Sequence, residues 1–163
     1  MALLLRLISK PKWVRPSWMD ESDVPADVLT DLRAEKNELS VWRVTPDHSN
    51  VSSILTALAS QRQRLDKLDF TIFDDSVLDG IGIRCKPSEG DTPHITANVT
   101  LHADLIELTV RKVALLAEVL MPFERERKSR KEVQHLLIDA LTSGALDRNR
   151  MDAKLLSELE EPH

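Results

Sequence analysis

Tyrosine is absent, and three Trp with three Phe supply every aromatic ring in the 163-residue chain. Recognition of single-stranded nucleic acid relies on stacking bases against aromatic faces, which this composition serves poorly. Glycine is almost as scarce, at four residues, and Gly80-Ile81-Gly82 is the one GxG spacing. The common phosphate cradles, GxGxxG and the Walker A loop, are therefore missing. So are a GxSxG elbow, an HExxH helix, a CxxC pair and an EF-hand loop. None of these patterns implies a cofactor.

A single cysteine, Cys85, cannot close an internal disulfide, so the fold must stand on its core. A cysteine-poor chain without an export signal reads as cytoplasmic. The apolar part of MALLLRLISKPKW is short and contains Arg6, so it reads as a first strand rather than a leader. No stretch approaches ~18 unbroken apolar residues, so no membrane helix is expected. Charge of one sign is lacking too: 22 basic residues against 27 acidic leave a net of −5. Such a surface has no general attraction for nucleic acid or anionic lipid.

The chain does hold 42% hydrophobic residues, enough for a core, over a length that suits one domain spanning 1–163. Residues 2–9 read as a strand, and 10–22, with two prolines and two tryptophans, as a packed irregular connection. Asp23 offers a helix cap ahead of Val28, Leu29 and Leu32. LSVWRV (39–44) is β-rich. Val51, Ile54, Leu55 and Leu58 repeat at helical spacing, and Leu68 to Phe73 returns to strand. Strand, helix, strand over this length is the spacing of a βαβ unit.

Asp79-Gly80 signals a turn before a strand at 81–85, and the alternating run 94–101 reads as its antiparallel partner. In that reading the stripe from His94 to His102 is the wet face of a half-exposed strand. Helices follow at 104–121, 126–143 and 148–160, with Gly144 as a C-cap supported by Leu146. The fold class is thus α+β: a small mixed sheet with one βαβ unit and an antiparallel hairpin, covered by a C-terminal layer of three helices.

Helix 104–121 is apolar on more than one side. Its wide face suits the sheet, while Leu108, Leu115 and Val119 form a second, narrower stripe. Large aliphatics left wet forfeit ~1.5–3 kcal/mol each. The stripe is therefore expected to be covered by the last two helices, or by a protein partner or a second copy in a homodimer.

The main basic run is ERERKSRKE (124–132), with Arg125, Arg127, Lys128, Arg130 and Lys131. Interspersed glutamates suit helical i, i+4 pairing and oppose phosphate binding. Asp74, Asp75 and Asp79 follow a strand end and offer carboxylates to a divalent metal, or simply a capped turn. His102 and Asp104 lie close enough for the carboxylate to orient the imidazole. Trp13 and Trp18 fit a loop pinned to the core, and Cys85 a small strand hydrophobe.

The sequence therefore favours a small cytoplasmic protein-binding molecule of regulatory, adaptor or immunity type, with a homodimer as one form of the interaction. The alternative is a metal-dependent hydrolase or phosphoryl-transfer enzyme using the aspartate cluster. A second alternative is nucleic-acid binding through the basic run.

Overall fold

The apolar run at the start of the chain forms β1 (Leu3–Ile8), an inner strand of a six-stranded sheet. Leu4 and Leu5 point to opposite faces and both are buried, which is why this strand is apolar throughout rather than alternating. The computed structural model describes residues 2–161 and is α+β. The terminal residues of the expected 1–163 span, Met1, Pro162 and His163, lie outside the described residues.

After β1 the chain runs through a 3₁₀ turn (Lys10–Trp13) and a 3₁₀ segment (Ala26–Thr30) to β2 (Leu39–Val44). Helix α1 (Val51–Ser60) then leads to β3 (Leu68–Asp74). A short turn of helix, α2 (Ser76–Asp79), precedes β4 (Arg84–Pro87). Helix α3 (Ile95–Thr100), β5 (His102–Ile106) and α4 (Val110–Leu120) follow. The chain closes with β6 (Arg125–Lys128), α5 (Arg130–Ser143) and, after a 3₁₀ turn, α6 (Ala153–Glu160).

The sheet order is β4-β5-β2-β1-β3-β6. The β2-α1-β3 crossover connects two strands that run the same way, but β1 lies between them and pairs antiparallel with each. Every adjacent pair is consequently antiparallel. Both edge strands are four residues long and rich in charge, with Pro87 on one of them, which discourages edge-to-edge association.

Two apolar layers cover the sheet. On one face Leu5, Trp42 and Phe70 meet α1, α5 and α6 through Leu55, Leu137 and Leu155. On the other, Leu4, Val41 and Phe73 meet Trp13, Val28 and the Leu116 side of α4. The three C-terminal helices are thus divided between the two faces. Helix α4 starts at Val110, capped by the Thr109 hydroxyl, because residues 102–106 are taken up as β5.

Two stretches depart from their local pattern. Residues 94–101, which alternate like a strand, are mostly helix α3. Ala97 faces inward as the strand assignment has it, but Asn98 also faces inward while Ile95 and Val99 face solvent, the reverse of that assignment. The partner of β4 is instead β5, the next segment along. Residues 125–128 are the strand β6, paired to β3, and the helix waits until Ser129. There Ser129 and Glu132 form a reciprocal capping box, a motif visible in the sequence itself. At its far end Gly144 adopts φ +80°, where a side chain would be strained, and Leu146 is buried as the C-cap pattern requires.

His94 caps α3 by accepting a hydrogen bond from the Ala97 amide on Nδ1, at 3.2 Å. Burial pushes this imidazole below its ordinary range. The unfolded chain therefore takes up a proton first, near pH ~6.5, and the folded ring only at lower pH. Stability should be complete above that value and fall as the pH drops through the folded one. His94→Asn keeps a capping acceptor that does not titrate, so this acid limb should vanish from urea midpoints measured across pH. A limb unchanged in the variant would assign it to other groups.

Candidate functional site

Two of the three residues of the second stripe, Leu108 and Val119, pack inside the molecule. Leu108 is buried before the helix begins, and Val119 packs into the layer beneath it, while Leu115 is half-buried. What α4 offers to solvent is Val110, Arg111, Ala114 and Glu118.

An apolar groove runs between α4 and the 26–30 segment. Its larger part has a volume of about 350 Å³ and is walled by Leu29, Leu32, Leu108, Val110 and Val113. A second part of about 250 Å³ continues it past Ala114 toward Val24 and Pro25. The groove exists because residues 26–30 make only a short 3₁₀ turn, where a full helix was expected from the Asp23 cap. Val28 and Leu32 are drawn into the core, and Leu29 is left 45% exposed on the rim. Val110, the first residue of α4, is 89% exposed. Arg33 lies at one end of the groove, and Asp23 with Glu118 at the other. Trp18, expected on the core, is 81% exposed in the loop leading to this region, whereas Trp13 is buried with its indole N–H on Asp31.

The basic run does not form an open cationic face. Arg127 donates twice to the buried carboxylate of Asp69, at 2.6 and 3.0 Å. The guanidinium holds that carboxyl below the usual range, against the opposing effect of its burial. Arg125 donates to the carbonyls of Met121 and Phe123. Arg130 reaches the Leu65 carbonyl and lies 3.9 Å from Glu158. Lys128 is half-buried at the end of β6, and Lys131 is exposed at the start of α5. The anticipated i, i+4 pairs cannot form where the backbone is a strand.

The aspartates at the end of β3 serve the backbone. Asp74 accepts from the Ser76 amide at 2.8 Å, and Asp75 from the Ala2 amide at 3.0 Å. Asp79 ends α2. Among the described residues no three His, Cys, Asp or Glu side chains are arranged to hold a metal ion. Asp74 thus closes a local turn, Asp75 ties the start of the chain to the end of β3, and none of the three aspartates lines the cavities beside His102. Cys85 is exposed on β4, and its surroundings push the thiol above its ordinary range, the opposite of activation.

The opposite face of the sheet carries a polar centre. His102 and Asp104 on β5 stand beside Trp42 and Ser40 on β2. Ser88 links the first two: its hydroxyl lies 2.9 Å from His102 Nδ1 and donates to Asp104 Oδ2 at 2.7 Å. Ser40 adds a longer bond to Asp104 Oδ1, at 3.3 Å. The expected His102–Asp104 pairing is therefore real but indirect. Ser88 carries no signal in the sequence, because it lies in the loop after β4, outside any motif. Gly90 passes so close that a Cβ there would be 3.1 Å from the imidazole ring.

Comparison with known protein families, curated proteins and solved structures finds no match for this chain.

Proposed function

We propose that this chain is a protein-binding molecule that receives an apolar segment of a heterologous partner in the groove between α4 and residues 26–30. The observation that carries the reading is the pairing of an aliphatic groove with the exposed aliphatics Val110 and Leu29 on its rim. A concave groove is filled by a convex insert, which an identical groove on a second copy does not supply. The partner chemistry that fits is an amphipathic helix with aliphatic anchors, acidic near Arg33 and basic near Asp23 and Glu118. Regulatory, adaptor and immunity-type molecules all act through such docking. The cytoplasm is the proposed compartment, where the lone exposed thiol of Cys85 stays reduced.

A photocrosslinking residue in place of Val110 tests this in cells, with Ile138 on α5 as the control position. The expected result is one partner captured from Val110 and not from Ile138. A peptide of that partner should bind the pure protein saturably, and Val110→Asp should weaken it about tenfold or more. Equal capture from both positions sinks the reading. Capture of a second copy, with a doubled mass in native mass spectrometry, replaces it with a homodimer.

A further inference from the structure

On the sheet face away from the docking groove, His102 forms part of the wall of two adjoining cavities. One, of about 400 Å³, is lined by Leu7, Trp42, Leu58, Gln61 and Thr92 together with Arg6. The other, of about 490 Å³, opens toward Glu35, Glu38 and Glu89. Ser40, Asp91 and His102 belong to both.

The protons in this centre can be placed. A carboxylate accepts only, so the single hydroxyl hydrogen of Ser88 goes to Asp104. Toward His102 the same oxygen can then only accept, so Nδ1 carries the ring hydrogen. In the neutral ring Nε2 is therefore a bare acceptor. His102 is 7% exposed, and among the described residues none hydrogen-bonds to Nε2. Nor is it sealed off: among the described side chains, the fully buried atom without a partner is Arg43 Nε. A buried acceptor in a cavity wall takes its donor from what fills the cavity, water or a ligand that displaces it.

The charge around it sets the sign of that donor. Five carboxylates and two cations line the two cavities, and Arg150 pairs with one of the five, Asp91. The balance is two negative charges with Arg150 included. Of the two cations, Arg6 is engaged by the carbonyls of Asp31 and Ser40. We infer that this cleft binds a small organic cation, with a primary ammonium or guanidinium group donating to His102 Nε2 beside Asp104. The volumes suit a small molecule rather than a folded partner. This inference is independent of the docking reading.

The test is titration of the full chain with agmatine and with spermidine, followed by calorimetry and by the ring ¹⁵N signals of His102. Saturable binding with a shift at Nε2 is expected for at least one of the two. Asp104→Asn and Ser88→Ala should each weaken it about tenfold, since each disturbs a bond in a charge-assisted chain. Ser88→Ala leaves the imidazole in place, so a folding defect in one variant does not decide the matter. Ile138→Asp, on the exposed side of α5, should leave amine binding unchanged. Absence of binding at millimolar amine would overturn the inference, as would binding indifferent to both Asp104→Asn and Ser88→Ala. Tighter binding of a capped arginyl peptide than of agmatine would overturn the small-molecule assignment.

Discussion

Asp31→Ala is expected to cost the fold about 2–4 kcal/mol, as the loss of a part-buried carboxylate that accepts several hydrogen bonds does. Oδ2 of Asp31 accepts from the Ser9 amide at 2.7 Å and from the indole of Trp13 at 2.9 Å. Oδ1 lies 3.5 Å from the Lys12 ammonium. The backbone carbonyl of the same residue takes two bonds from Arg6. Burial pushes the Arg6 guanidinium below its ordinary range, and the charge of Asp31 pulls it back. Alanine would leave the indole N–H of a fully buried tryptophan without an acceptor, and Arg6 without its counter-charge. Asp31→Asn keeps an oxygen for both N–H groups and loses only the charge, so about half the cost is expected. Urea midpoints at unchanged slope measure both, and the Trp13 indole proton resonance should move in the alanine variant. A cost near zero for Asp31→Ala would show that this junction does not hold the 10–31 segment to the sheet.

Asn98→Ala is the second large effect, at about 2–4 kcal/mol for stranded buried partners. Asn98 is 2% exposed. Its Oδ1 accepts from the amide and hydroxyl of Thr92, at 3.1 and 2.6 Å, and its Nδ2 donates to the Thr92 carbonyl at 2.7 Å. Alanine would strand three polar groups of Thr92 at once. The substitution also separates two readings of residues 94–101. On the wet face of a strand it would stay within about 0.5 kcal/mol of neutral. Chemical denaturation distinguishes these outcomes. The Thr92–Asn98 bonds also brace one wall of the His102 cleft, so amine binding should weaken in the same variant.

These contrasts show where local pattern is enough. Residues 39–44 and 51–60 each carry one unambiguous period, and they form the strand and helix that the period implies. Gly144 with Leu146 behaved likewise, because a left-handed C-cap is a local requirement. ITANVT is different: six residues of alternating character suit either a strand or one and a half turns of helix. The choice fell to Thr92 and His94, whose bonds to Asn98 and the Ala97 amide exist only in the helix. ERERK became a strand because the edge of β3 was free to pair and Asp69 was placed to receive Arg127.

The sequence by itself determined the α+β class, a strand at Cys85, the strand–helix–strand crossover and the absence of the common catalytic loops. Each depends on composition or on neighbours close along the chain. Only the tertiary structure decided that β1 enters the crossover, that the last three helices divide between the two faces, and that Leu29 and Val110 border one groove. It also decided that Ser88 joins His102 to Asp104. Those outcomes depend on pairings between residues far apart in sequence, and hydrophobic periodicity says which face is buried without naming what buries it.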